Sequence, residues 1–293
     1  MKTFDLNDER ILEIQKAKWI GYSKANEVIK MLEELLAFPR THRMPNLLII
    51  GDTNNGKTLI GKRFESMNPP RFVDAIDPQS NTSYQRIVME VMMIQCPPVP
   101  SEKRLYISIL DKLHVPYKSS GRVEYLQSAV IGGMRRLGVK ILILDELHNI
   151  LLGSSAKQRE FLQVIKFIAN ELELSIVGSG TNDAFYVVNS DDQLANRFDK
   201  VILGKWKYDT EYLRMLASLE KVIALREPSN LIEEKLALKI LEMSEGLLGE
   251  IVKIVRKAAV HEIQSGREKI TLKTLSEISW NAPSIRRSRE LLR

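Results

Sequence analysis

The segment Gly51 to Thr58, GDTNNGKT, follows the apolar run Leu47-Leu48-Ile49-Ile50 and precedes LIGKRFESM, which reads as a helix. A Gly-rich turn between a strand and a helix points consecutive backbone N–H groups at an anion, and the helix dipole adds positive potential there. The complete spacing reads as a phosphate-binding loop running through Gly51, Asp52, Thr53, Asn54, Asn55 and Gly56 to Lys57, Thr58 and Leu59. Lys57 is expected to reach the β and γ phosphates of ATP, and the Thr58 hydroxyl to bind Mg2+. A chance Gly/Asn turn is the plainer alternative, but it does not explain the strand before it and the helix after it. The pattern points to an α/β fold.

A second motif, ILILDELH, runs from Ile141 to His148. Lys140 to Leu144 is an uninterrupted apolar strand of the kind buried on both faces in a parallel sheet, and it ends in Asp145-Glu146. Asp145 is expected to hold Mg2+ through water and Glu146 to polarise the attacking water. ATP hydrolysis is mostly positioning plus electrostatics, so one well-placed base suffices. An acidic helix N-cap and first turn is the alternative for this pair.

His148 completes a DExH string, but 293 residues are too few for the two core domains of such a helicase. An orienting or partly buried imidazole is the expectation for His148, and Asn149 is read the same way. SIVGSGT, Ser175 to Thr181, is a strand ending in small polar residues. Thr181 and Asn182, and more weakly Ser179, are candidate sensors of the γ-phosphate, although a strand-to-loop turn explains the same composition. Arg197 closes a short helix just before the last strand. From there an arginine can enter the ATP site of a neighbouring subunit and stabilise the transferring phosphoryl group, or pair on the surface with Asp199 or Asp192.

Periodicity orders the rest. Glu9 to Lys18 and Lys24 to Phe38 read as helices, the second with Val28, Ile29, Leu32, Leu35 and Leu36 in one stripe that stops before Pro39. Phe72 to Ile76 reads as a strand, Ser83 to Gln95 as a helix closed by CPPVP, and Glu102 to Leu113 and Arg122 to Leu137 as helices. Gln158 to Glu171 is expected to be helical, Leu174 to Gly178 a strand, Asp192 to Asn196 a short helix and Lys200 to Leu203 a fifth strand. From Tyr208 onward only helices are expected, near Thr210 to Leu225, Leu231 to Met243, Leu248 to Gln264 and Leu272 to Ile278. The predicted organisation is N-terminal helices over residues 1–45, an α/β core with a five-stranded parallel sheet over 46–207, a helical lid over 208–280 and a basic tail over 281–293.

A hydrophobic content of 44% over 293 residues is enough for one large α/β core and a smaller domain. No apolar run approaches a membrane span and the start, MKTFDLNDERILEIQKAK, is too charged for a secretory segment, so a soluble, cytoplasmic chain with no membrane partner is expected. The single cysteine, Cys96, rules out an internal disulfide and a cysteine-rich zinc site, and is expected to be a buried thiol before Pro97-Pro98. A net charge of +6 favours a polyanionic partner.

Together these motifs resemble the AAA+ ATPases of the TniB/TnsC kind, the transposition regulators, and more broadly initiator-type AAA+ proteins. The likeness runs from Trp19 to Thr58, through ILILDELHNI from Ile141 to Ile150, VGSGTNDA from Val177 to Ala184 and QLANRF from Gln193 to Phe198. The resemblance implies an AAA+ P-loop core with a helical lid, and Trp19, Ile20 and Tyr22 lining the adenine, although ordinary packing of an N-terminal helix uses the same side chains. It implies a slow ATPase stimulated by DNA or a partner protein. It further implies ATP-dependent assembly of a homo-oligomeric ring or helical filament on double-stranded DNA, recruitment of a transposase, coupling to a target-selector protein, and disassembly on hydrolysis.

Lys103, Arg104, Lys112, Lys118 and Arg122, between the expected second and third strands, are the candidate sequence-independent DNA contacts; a solvated helix face would explain any one of them. Many relatives carry a second sensor arginine in the lid; Gly249 stands at that place here, with Arg256 two turns later. The tail SIRRSRELLR, Ser284 to Arg293, suits partner docking, DNA binding or a disordered end. Two other roles fit the same motifs: a helicase loader or replication-initiator ATPase, and a scaffold that binds ATP for assembly and hydrolyses it negligibly.

Overall fold

The computed structural model describes residues 9–16, 18–77, 80–223 and 225–288; residues 1–8 of the N-terminal segment and 289–293 of the basic tail lie outside them. The chain forms two compact units. One comprises Glu27–Thr53 and Lys57–Leu203, and the other the segment up to Asn26, Asn54–Gly56 and the chain from Gly204 onward.

In chain order, α1 (Glu9–Gln15) and α2 (Ser23–Ala37) precede β1 (Asn46–Gly51), and the phosphate loop leads into α3 (Lys57–Met67). Then come β2 (Arg71–Ile76), β3 (Ser83–Val88), β4 (Val91–Gln95), α4 (Glu102–Leu113) and α5 (Val123–Leu137). β5 (Ile141–Asp145), a 3-10 turn over Leu147–Leu152, α6 (Ser155–Leu172), β6 (Ser175–Gly180), α7 (Asp183–Asn189), α8 (Asp192–Ala195) and β7 (Phe198–Leu203) complete the α/β unit. The helical unit adds α9 (Thr210–Ile223), α10 (Glu234–Ser244), α11 (Leu248–Ser265), α12 (Leu272–Glu277) and α13 (Pro283–Arg287).

Five strands make one parallel sheet in the order β4-β5-β6-β1-β7. Their continuous apolar runs are what a sheet covered by helices on both faces requires. Leu48, Ile50, Leu142, Leu144 and Ile176 join Leu105, Ile109, Phe161 and Ile165 from the helices in one buried cluster. β1 lies inside the sheet between β6 and β7, a crossover position whose carboxyl end is where open α/β sheets bind ligands. The helical unit has its own core, in which Leu216, Ile240, Ile254 and Val255 pack with Ile14 of α1 and the fully buried Tyr212. No described helix is long and apolar enough to cross a membrane.

Two expectations fail in the segment after α3. Residues Ser83 to Gln95 are not a helix but β3, a break at Met89-Glu90, and β4. Phe72 to Ile76 is a strand, yet it stands outside the main sheet, paired antiparallel with β3 so that Phe72 faces Ile87. The second core strand is instead Val91-Met92-Met93-Ile94, in register with Ile141 to Leu144. A short apolar run fits a buried strand or a buried helix turn equally well; pairing with β5 decides it here. Glu90 holds the break in place by accepting from Arg71 (2.6 Å) and Lys140 (2.8 Å). Burial pushes its carboxyl up, but Lys140 and Arg71 outweigh burial and hold it below the usual range. The helices α7 and α13 are additional to those expected.

Candidate nucleotide site

The parallel register sets Leu144 beside Gly178, and Ile49 beside Ser179, which brings the ends of β5, β6 and β1 together. Asp145, only 5% exposed, receives the Thr58 hydroxyl on Oδ2 at 2.6 Å and the Ser179 hydroxyl on Oδ1. A hydroxyl and a carboxylate converging from two elements are hard oxygen donors of the kind Mg2+ prefers, so the residues present fit that ion. Lys57 donates from Nζ to the carbonyls of Gly51 and Asp52, both at 2.8 Å. Burial lowers its pKa, against the opposing pull of Glu146, Asp145 and Asp52.

Glu146 leaves the strand in the left-handed region, φ 57°, and so turns the chain into the 3-10 segment. His148 Nε2 lies 3.1 Å from Glu146 Oε2, while His148 Nδ1 accepts from the Thr181 N–H at 3.4 Å. Because Nδ1 accepts, the neutral ring carries its proton on Nε2 and donates to Glu146. Thr181 is thus linked to Glu146 only by way of its backbone N–H and the His148 ring; its own hydroxyl faces Asp183 at 3.5 Å. Gly180 makes this approach possible, since a Cβ there would lie 3.1 Å from His148 Nδ1 and 2.8 Å from Ala184 Cβ. Asn149 donates to the Cys96 carbonyl at 3.4 Å, and Asn182 is exposed at the start of α7.

Arg197 does not join this cluster. Its carbonyl accepts from the N–H of Asn46, at the amino end of β1, about 17 Å along a six-residue strand from the loop. Nη1 donates to Asn170 Oδ1 at 2.8 Å rather than to Asp192 or Asp199, and Nε is buried without a partner. Of the basic side chains, Arg104, Lys118 and Arg122 are exposed and Lys103 partly so, while Lys112 is paired with Glu65 at 2.8 Å.

In the helical unit, the loop residues Asn54 to Gly56 meet the start of α11. Gly249 N–H donates to the Asn54 carbonyl at 2.9 Å, Leu248 N–H to Asn55 Oδ1 at 3.3 Å, and Asn55 Nδ2 to the Gly204 carbonyl at 3.0 Å. A Cβ on Gly56, whose φ of +89° already favours glycine, would lie 3.1 Å from Leu248 and 3.8 Å from the Tyr22 hydroxyl. Tyr22 packs edge-on against Trp206 with ring centroids 5.0 Å apart, and burial pushes its hydroxyl up to about 12. Trp206 was not anticipated from the sequence; its indication there is only an aromatic just past the last strand. Ile20 packs against the helical core, and Trp19 is half-buried. Arg256 donates to the carbonyls of Gln15 and Lys16, at 3.5 and 2.6 Å, and so caps the end of α1.

No curated protein sequence matches this chain. Among solved structures, the Aeropyrum pernix ORC2 protein, in ADPNP-ADP complexes, is similar with a TM-score of 0.63 at 14% identity, over 92% of this chain and 72% of that one. The ORC1 protein of the same organism, in complex with DNA, gives 0.60 at 16% identity over 91% and 67%. Cdc6p from Pyrobaculum aerophilum gives 0.59 at 15% identity over 90% and 68%. At these identities the likeness establishes the fold, an AAA+ core with a helical C-terminal region. The family model for the bacterial TniB protein matches residues 10–208, more than half of the chain, and the chain therefore belongs to the TniB family.

Proposed function

We propose that this protein is an ATP-dependent, DNA-binding AAA+ regulator of DNA transposition, which assembles on double-stranded DNA, links a target selector to a transposase, and disassembles when ATP is hydrolysed. Membership of the TniB family is the observation that carries this reading. The AAA+ fold, shared with an ORC1 protein solved in complex with DNA, supports a DNA-related role.

In this reading Lys57 leaves the carbonyls of Gly51 and Asp52 to hold the β and γ phosphates, and the loop N–H groups cradle them. Thr58 and Asp145 hold Mg2+, which when bound neutralises phosphate charge as the phosphoryl group transfers. Ser179 keeps Asp145 oriented, and Glu146 accepts the proton of the attacking water. His148, anchored on the Thr181 N–H, fixes the direction of the Glu146 carboxylate. Trp19, Ile20 and Tyr22 flank the adenine. Arg197 acts on the ATP of a neighbouring subunit, a role that suits its place at the far end of β1 and its unpartnered Nε. Lys103, Arg104, Lys118 and Arg122 contact DNA phosphates, and affinity should fall steeply with salt.

Electron microscopy with ATP and random-sequence duplex DNA tests the reading. Long regular filaments or stacked rings are expected. A single short capped ring would instead favour a helicase loader or replication initiator, and no assembly with DNA would refute both.

A further inference from the structure

We propose that Asn54, Glu250 and Arg286 form a positioning relay that sets the phosphate loop for nucleotide, in place of a lid arginine; the proposal rests on the ATP reading above. A Cβ at Gly249 would lie 1.9 Å from Asn54 Oδ1 and 2.4 Å from its Cγ. No side chain fits there while Asn54 keeps its place, so the glycine follows from the asparagine that fills the space. Asn54 itself has φ +65°, a conformation asparagine tolerates better than most residues.

Asn54 meets α11 twice: its carbonyl accepts from the Gly249 N–H at 2.9 Å, and its Nδ2 donates to Glu250 Oε1 at 2.9 Å. Glu250 is 6% exposed and lies in the first turn of α11, where the helix dipole favours a carboxylate. Its second oxygen, Oε2, accepts from Arg286 Nη2. Arg286 is fixed from two sides. Its guanidinium lies 5.3 Å from the centre of the Trp280 ring, whose Nε1 donates to the Met243 carbonyl at 2.9 Å. The start of α13 is tied by the Ser284 N–H to Glu245 at 2.8 Å. A buried carboxylate that loses its cation must find another partner or move, and here its other partner is the loop asparagine. The orientation of the loop is therefore set by a residue 232 positions away, the difference between 286 and 54.

The test uses the full chain, a fluorescent ATP analogue with Mg2+, and the variants Arg286→Ala, Arg286→Lys, Glu250→Gln and Asn54→Gly. Arg286→Ala, Glu250→Gln and Asn54→Gly should each weaken nucleotide binding about tenfold, with a matching rise in KM for ATP and kcat within about twofold, the size expected from losing one charge-assisted hydrogen bond. Arg286→Lys should recover most of the affinity. The double variant Glu250→Gln/Arg286→Ala should be no worse than either single change, because the residues act as one unit. A lower melting temperature with unchanged nucleotide affinity would overturn the relay. If the α11 and α13 variants fail to fold, Asn54→Gly decides: wild-type affinity there overturns the proposal. Lys57→Ala is run in parallel, so that loss of binding in Lys57→Ala alone condemns only the relay, whereas no binding by the unmodified chain condemns the ATP reading with it.

Discussion

Two serines on β6 differ in one respect that should dominate their energetics. Ser179 and Ser175 are both buried, 2% and 0% exposed, and both become alanine by loss of a single oxygen. Ser179 donates to the buried Asp145 carboxylate, whereas the Ser175 hydroxyl has no partner. Removing a hydrogen bond to a charged acceptor costs about 1.5–3 kcal/mol, so Ser179→Ala should destabilise the α/β unit by about 2 kcal/mol. A buried hydroxyl without a partner carries a penalty of about 1–3 kcal/mol, so Ser175→Ala should be neutral or stabilising by about 1 kcal/mol. At about 2–4 °C per kcal/mol for units of this size, the first variant melts about 4–8 °C lower and the second up to about 4 °C higher.

Scanning calorimetry measures both. Equal shifts in the two variants would refute the reasoning, because then the partner of each hydroxyl would not matter.

Glu146→Gln should keep ATP and DNA binding, lower hydrolysis by about 100-fold or more and trap the assembly on DNA; normal turnover in an ATPase assay removes Glu146 from the role of base. Arg197→Ala should lower DNA-stimulated hydrolysis by about 1,000-fold with nucleotide binding intact, and mixing it with Lys57→Ala should restore activity; no restoration counts against action in trans. Lys57→Met should abolish nucleotide binding and remove an alkaline rise in the stability of the free protein. Burial lowers the Lys57 pKa, so the unfolded chain binds more protons between the folded value and the ordinary lysine value of 10.5. Stability therefore rises with pH across that window in the unmodified chain. Urea unfolding across that range should show this alkaline rise, and its persistence in Lys57→Met would assign it to another group.

The strand-turn-helix around GDTNNGKT and the ILILD strand were legible because their pattern is local: a few residues in fixed order beside apolar runs. The parallel sheet and the helical second unit followed from the same runs and from the loss of strand signal after Tyr208. The segment from Ser83 to Gln95 was not legible, because VMMI is apolar at every position and only pairing with β5 selects a strand. Its polar break, Glu90, takes its meaning from Arg71 and Lys140, which are distant in sequence. His148 stood in view within DELH, yet its anchor on Thr181 depends on the neighbouring strand and on Gly180. Gly249 read as a missing arginine; its contact with Asn54 shows a space already filled.

Cys96 has a practical consequence. Its thiol is 1% exposed and burial, helped by Asp145, pushes it up to about 12, so at neutral pH it is almost wholly the unreactive thiol. The chain is thus a ready background for site-specific labelling. A cysteine placed at Phe72 on the exposed β2–β3 hairpin, or at Tyr186 on α7, would take a maleimide dye alone. Subunit arrival on DNA could then be followed by energy transfer without first deleting a native thiol.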